Sequence, residues 1–211
     1  MKEKKELERG AEVSAVPTKT KKLKEERLTL KQRFSSKRLA LMGVFVALSY
    51  ALSWLEIPLF PGIAPFLKLD FGNVLILLIS LLCGPMEGAM VCFMKESLRL
   101  IGSSSGMVGE LANVIMTVSY IMLPSIVYQF RKGLKAVIPS LAGACVIGTA
   151  TAMLMNRYVI FPLYMGSGAS AVFLDLFWYV LVFNVIKTVS VGVLTALLYK
   201  KLSNFLKKMK I

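Results

Sequence analysis

The chain has 211 residues, of which 56% are hydrophobic and 18% are charged, and its formal net charge is +14. Soluble domains carry about a quarter charged residues, so this composition indicates an integral membrane protein without a sizeable water-soluble domain. The sequence has no histidine and no GxxxxGK[ST] motif, which excludes His-based catalytic triads, most zinc catalysis and a P-loop ATPase.

The N-terminal residues 1–37 mix Lys and Glu with few apolar side chains, which is typical of a solvated tail. No apolar stretch begins before Leu39, so we expect no cleaved secretory signal. A basic chain could bind nucleic acid. Here the positive residues lie beside apolar segments, which favours a cytoplasmic flank near anionic lipid instead.

Six apolar stretches follow the tail, and a helix needs roughly 20 apolar residues to cross a bilayer. We predict helices over about residues 38–55, 71–83, 86–101, 108–130, 136–160 and 172–202. The second is short, which predicts a tilted or partly re-entrant helix. Three prolines between residues 57 and 65 prevent a continuous helix there, Gly84-Pro85 ends the second helix, and a loop is expected over 161–168.

The predicted fold class is therefore an all-α membrane protein, a bundle of six transmembrane helices. The expected domains are a charged cytoplasmic tail (1–37), a transmembrane substrate-binding domain (38–202) and a basic cytoplasmic end (203–211). The side with both termini and the loop at 131–135 is rich in Lys and Arg, whereas the opposite loops hold few charges. By the positive-inside rule, both termini are predicted to be cytoplasmic.

The first predicted helix carries small residues at positions 40, 43, 47 and 51, namely Ala40, Gly43, Ala47 and Ala51. Spacings of three and four residues place them on one face, where another backbone can approach closely. Two interpretations stay open at this point. The face packs within the bundle, or it forms a groove for a separate membrane partner.

Several polar residues fall at membrane depth. Lys187 lies near the middle of the last helix, and Asn184 is three residues earlier on nearly the same face. A central lysine costs about 2.5–3.5 kcal/mol on insertion scales, so it is expected to face the bundle interior or a ligand. Glu110 and Asn113 share a face of the fourth helix, and Asn156 is near the end of the fifth.

The third helix carries Lys95 and Arg99 four residues apart, beside Glu96. One interpretation is purely structural: these charges pair with one another or with Glu110. The other is that they belong to a binding site. Aromatic residues are frequent in the predicted outer segments, where they form either an interfacial belt or the flat walls of a pocket for a planar heterocycle; they are Phe60, Phe66, Phe71, Tyr158, Phe161, Tyr164, Phe177, Trp178 and Tyr179.

Six sequence segments resemble the substrate-binding S components of energy-coupling factor (ECF) transporters. The more general ones are Phe66-Leu67-Lys68-Leu69-Asp70-Phe71, Cys83-Gly84-Pro85-Met86-Glu87-Gly88 and Lys95-Glu96. Three others resemble the riboflavin-specific members: Gly106-Met107-Val108-Gly109-Glu110-Leu111-Ala112-Asn113, Asn156-Arg157-Tyr158-Val159-Ile160-Phe161-Pro162-Leu163-Tyr164 and Phe183-Asn184-Val185-Ile186-Lys187. The resemblance covers about residues 38–200. The sequence departs from the family pattern at Gly72-Asn73, and the N-terminal tail lies outside the region of resemblance.

The resemblance implies six helices and a vitamin site under the loop between the first two. It implies that Asn184 and Lys187 hydrogen-bond the isoalloxazine ring, and that loop residues close over it with others nearby; the expected substrate-binding residues are Phe66, Leu67, Asp70, Glu110, Asn113, Asn156, Tyr164, Asn184 and Lys187. It also favours the partner surface on the first helix, with Gly43, Ala47 and Ala51 at the interface.

We therefore expect a riboflavin-uptake subunit of a bacterial cell membrane, not an enzyme. The implied partners are a membrane coupling subunit (T component) and two cytoplasmic ATPase subunits, with riboflavin as transported ligand, no resident cofactor, no metal and no nucleic acid. The alternatives are an S component for another planar vitamin, such as folate, thiamine or a related precursor, and a non-catalytic structural membrane subunit.

Overall fold

The structure is a computed structural model that describes residues 35–102, 107–131 and 133–208. Most of the predicted tail, the serine-rich turn at 103–106 and the last three residues of the predicted basic end lie outside the described residues. The chain divides into two compact units, residues 1–39 and 40–211. The elements below, apart from the first residues of α1, belong to the second unit.

The described residues form six helices of twelve residues or more. Their bounds are α1 Ser36–Ser53, α2 Gly72–Cys83, α3 Pro85–Arg99, α4 Val108–Phe130, α5 Leu134–Met155 and α6 Ala169–Lys208. The predicted helical character is confirmed, and α4 has the predicted bounds. By length and composition, the helical stretches Val108–Phe130 and Lys135–Tyr199 are long and apolar enough to cross a membrane, and Gly72–Cys83 is a shorter apolar helix.

Between α1 and α2 the chain forms a two-stranded antiparallel hairpin, which the sequence analysis did not predict. Strand β1 covers Ile57–Phe60 and β2 covers Ala64–Leu69, with Ile57 opposite Leu69 and Pro58 opposite Lys68. Prolines exclude a helix here, as expected. A two-stranded hairpin tolerates proline more readily than a central strand does, because each of its strands has one unpaired edge.

The predicted loop at 161–168 is wrong, because this segment is helical. A π-helical turn, Asn156–Ile160, follows α5, and a short helix, Phe161–Met165, follows that turn. Pro162 lies in the first turn of the short helix, directly after the π-helical turn. The π-helical turn places Asn156 among the residues that line the large cavity described below.

Helix α2 is the centre of the apolar core. Nine of its twelve residues are buried, and it packs against α3, α4 and α6. Two glycines permit its close contacts. A Cβ on Gly72 would lie 2.4 Å from the backbone oxygen of Ser49, and one on Gly88 of α3 would lie 2.4 Å from Cβ of Ser80. At Gly72 the sequence departs from the family pattern, and the structure shows that α2 closely approaches α1 at this residue.

Candidate ligand-binding site

A cavity of about 650 Å³ lies between the hairpin and helices α3, α4 and α6, with the π-helical turn on one side. This volume is in the range of small-molecule sites, which is roughly 300–1,000 Å³. The structure brings together all nine substrate-binding residues that the resemblance implied, and each lines this cavity: Phe66, Leu67, Asp70, Glu110, Asn113, Asn156, Tyr164, Asn184 and Lys187.

The last helix presents an ammonium and an amide to this cavity. The Nζ atom of Lys187 donates a hydrogen bond of 2.8 Å to Oδ1 of Asn113, and it lies 5.9 Å from the centre of the Phe183 ring. Asn184 is only 1% exposed, and its Nδ2 donates to the Val180 carbonyl at 2.8 Å. Among the ion pairs of the described residues, none includes Lys187.

Asn113 connects α6 to α3 through its amide group. Its Oδ1 accepts from Lys187 and, at 3.3 Å, from Nδ2 of Asn73. Its Nδ2 donates to Oε1 of Glu96. A single orientation of the Asn113 amide satisfies all three bonds. In this orientation its oxygen accepts from Lys187 and its nitrogen donates to Glu96.

Lys95 is fully buried, at 0% exposure, and is the centre of an ion cluster beside the cavity. Its Nζ donates to Oδ2 of Asp70 and, at 2.6 Å, to Oε1 of Glu96. The other oxygen of Asp70 accepts from the backbone N–H of Gly72 at 2.7 Å. Since Asp70 follows β2 directly, this cluster attaches the end of the hairpin to α3.

A second ion cluster lies where α1 meets the hairpin. Arg99 donates to Glu56 and, at 3.0 Å, to the carbonyl of Ser53, while Lys68 pairs with Glu56 at 2.9 Å. Lys95 pairs with its neighbour Glu96, as one interpretation of the α3 charges expected. The other ion pairs of the two α3 cations described here run to Asp70 and Glu56, whereas Glu110 was the suggested partner. Charges on α3 therefore hold the hairpin from two sides.

Glu56 lies in the connection between α1 and β1, outside the helices. Its partial burial raises the pKa of its carboxyl group, but hydrogen bonds from Lys68 and Arg99 and their positive charges lower it by more, so that the net pKa is below the ordinary value of 4.5. The carboxylate is consequently ionised at neutral pH, and it retains both cationic partners.

Aromatic rings form one wall of the cavity. Phe66 of the hairpin lies edge-to-face on Phe161, with ring centres 6.0 Å apart, and Phe161 in turn contacts Phe173 at 5.4 Å. Phe66 and Tyr164 line the cavity and are also exposed, so they border its opening. Aromatic rings offer flat apolar faces to a ligand, and the charged residues Glu96 and Arg99 of α3 line the same cavity.

The small-residue face of α1 lies outside the cavity. Ala40, Gly43, Ala47 and Ala51 are all exposed, and a Cβ added to Gly43 would meet no atom of the described residues within 4 Å. The bundle therefore leaves this face uncovered in the part of the chain that the structure describes.

The cavity also contains residues that the sequence reasoning did not assign to a site. Glu96 and Arg99 belong to the α3 charges for which a structural pairing and a binding site both stayed open, and their occurrence in an apolar helix was the signal that could have identified them. Some others gave no such signal, because a lone aromatic or Met is common in any core; examples are Trp54 and Met116.

The fold and this cavity define a ligand-binding helical membrane protein. The family model for the ECF transporter substrate-specific component matches residues 37–208, so the chain belongs to that family. It is thus a substrate-binding component of a transporter and not an enzyme. The family places it in a bacterial membrane.

Two similar proteins and one solved structure agree with this assignment. The chain is 28% identical over 178 residues to the riboflavin transporter RibU of Staphylococcus aureus (strain TCH60), which covers 82% of this chain and 94% of that protein. It is 28% identical over 183 residues to the riboflavin transporter FmnP of Bacillus subtilis (strain 168), covering 82% and 96%. A solved S component of a bacterial ECF transporter superimposes with a TM-score of 0.71 and 30% identity, covering 81% and 98%.

Proposed function

We propose that this protein is the riboflavin-binding subunit of an ECF uptake system. The observation that carries the proposal is that Lys187, Asn184 and several aromatic rings, among them Phe66 and Phe161, line one cavity. A planar, neutral heterocycle with carbonyl and ring-nitrogen acceptors requires hydrogen-bond donors and flat apolar faces. Two relatives of similar length carry the name riboflavin transporter, which supports this ligand over another planar vitamin.

In this proposal Asn184 and Lys187 hydrogen-bond the isoalloxazine ring. Lys187 has three N–H donors, and the described residues supply one acceptor, Asn113, so donors remain for a ligand. The hairpin residues Phe66, Leu67 and Asp70 cover the ring. The remaining cavity residues that surround it are Glu110, Asn113, Asn156 and Tyr164.

The proposed membrane arrangement has six crossings with both termini in the cytoplasm. The family resemblance and the distribution of Lys and Arg support it. The tail (1–37) and the basic end (203–211) then flank a transmembrane domain over residues 38–202. The short α2 fits this arrangement because nine of its twelve residues are covered by protein rather than lipid.

The proposed partners are a membrane T component and two cytoplasmic ATPase subunits. Gly43, Ala47 and Ala51 supply an exposed face where a partner helix can approach the backbone. A Gly43→Leu variant is expected to keep its riboflavin affinity and thermal midpoint, because a Cβ at position 43 meets no other element of the described residues within 4 Å. Co-purification with the coupling module should fall at least several-fold. Undiminished co-purification would contradict the proposed interface.

Calorimetric titration of the purified full chain with riboflavin tests the proposed ligand. Asn184→Ala and Lys187→Ala are each expected to weaken binding by about tenfold or more, since each removes a buried hydrogen-bonding group. Lys201→Ala, at an exposed position on the same helix, is the matched control and should bind as the wild type does. Tighter binding of folate or thiamine than of riboflavin would overturn the proposed ligand, and no binding of any of them would favour a structural subunit.

A further inference from the structure

A second, smaller cavity of about 30 Å³ adjoins the large one along α6. The two cavities share Met116, Asn184 and Lys187. A buried water needs about 10–15 Å³, so this space can hold one or two water molecules but no organic ligand. Its remaining lining residues are Asn73, Thr117, Tyr120, Gly148, Thr188 and Val191.

One polar atom on this lining has no protein partner. Asn73 is only 3% exposed, and among the described residues no donor lies within hydrogen-bond distance of its Oδ1. The Nδ2 of the same amide already donates to Asn113, which fixes which atom is the oxygen. Buried amide oxygens are almost always hydrogen-bonded, to protein or to ordered water, because an unpaired one is costly.

A donor for such a water borders the same space. Lys187 gives one N–H to Asn113, and two further N–H groups of its ammonium have no acceptor among the described residues. Lys187 of α6 and Asn73 of α2 both line this cavity and both donate to Oδ1 of Asn113, so the remaining donors of one lie near the unsatisfied acceptor of the other.

We propose that this small cavity is a buried water site that positions Lys187. The water accepts a hydrogen bond from Nζ of Lys187 and donates one to Oδ1 of Asn73. Asn113 and the water then hold two of the three N–H groups, so the third is directed toward the large cavity. The existence of the site depends only on the geometry, whereas its effect on affinity rests on the proposed riboflavin function.

The site is tested first by an experimental structure of the full chain without riboflavin, at a resolution that shows ordered water. The expected result is a density peak within hydrogen-bond distance of both Lys187 Nζ and Asn73 Oδ1. A dry cavity, or a direct contact between Asn73 and another donor, would overturn the proposal. This outcome does not depend on whether the protein binds riboflavin.

Its effect on binding is tested by filling the cavity without touching either polar partner. Val191→Leu adds a methylene on the lining, and Val193→Leu makes the same change at an exposed position two residues away. Loss of one hydrogen bond to Lys187 predicts that riboflavin affinity falls about threefold to tenfold in Val191→Leu and is unchanged in Val193→Leu.

Gly148→Ala is a second filling variant in case Val191→Leu fails to fold. Its added Cβ would lie 3.2 Å from Cδ2 of Tyr120, a tight contact that a small shift of the ring can relieve. Wild-type affinity in a folded filling variant would show that the water does not position Lys187. Failure of the wild-type protein to bind riboflavin would overturn the proposed function instead. The density between Lys187 and Asn73 would still show whether the water is present.

Discussion

The core around α2 and the region between the hairpin and α3 are both buried, yet they are built from different chemistry. Around α2 the buried side chains are mainly aliphatic, and the polar links are neutral, such as the hydroxyl pair of Ser80 and Ser125. Beside the cavity, Lys95 is buried between two carboxylates. Buried ion pairs contribute little net stability compared with apolar packing. We therefore expect the charged cluster to serve the cavity that it borders and the apolar core around α2 to supply stability.

The largest effect is expected where this ion cluster is broken from one side. Lys95→Met leaves Asp70 and Glu96 buried without their cation, which should lower the free energy of unfolding by about 3–5 kcal/mol. Lys68→Met is the control, because Lys68 is half-exposed in its pair with Glu56 and its loss should cost about 1 kcal/mol or less. Unfolding in detergent followed by circular dichroism measures both. Equal stability of the two variants would contradict the comparison.

A substitution in the α2 core is expected to change the stability of the protein but not its riboflavin affinity. Leu77 is completely buried there, and Leu77→Ala is expected to lower the free energy of unfolding by about 2–5 kcal/mol through lost packing. Because Leu77 does not line the cavity, the riboflavin affinity of the folded protein should stay within about twofold of the wild type. Leu197→Ala, at an exposed position on α6, controls for the loss of a leucine. A large change of affinity in Leu77→Ala would mean that the two regions are coupled.

The sequence predicted some features well and others poorly, for physical reasons. Apolar length and the Gly84-Pro85 break locate helices without tertiary information, so the helical fold was predictable. The hairpin was not, because its pairing joins Ile57 to Leu69 across a proline-rich segment whose composition indicates only that no helix forms. The π-helical turn at Asn156 also depends on packing, and Pro162 there suggested a loop. Polarity at membrane depth singled out Lys187, Asn184 and Asn113, but only the resemblance joined them in one site, since spacing alone does not show that residues from different segments converge.

The smallest effect concerns pH. Because the pKa of Glu56 is lower in the folded protein than its ordinary value of 4.5, its ion pairs contribute stability above about pH 4.5 and lose it as the pH falls through the lowered pKa. The wild type should therefore exceed Glu56→Gln in thermal midpoint near neutral pH, and the difference should shrink below about pH 4.5. If the difference in thermal midpoint between the two proteins stays constant down to about pH 3, the negative charge of Glu56 does not stabilise its contacts with Arg99 and Lys68.

The central claim is that Lys187 donates a hydrogen bond to a flat, neutral vitamin inside the large cavity. Isotope-edited infrared spectroscopy of riboflavin bound to the full chain measures this directly, because a hydrogen bond lowers the stretching frequency of a ring carbonyl. A ring carbonyl band of the bound vitamin is expected to lie lower in the wild type than in Lys187→Met, with Lys201→Met matching the wild type. Identical carbonyl bands in the wild type and Lys187→Met would contradict it.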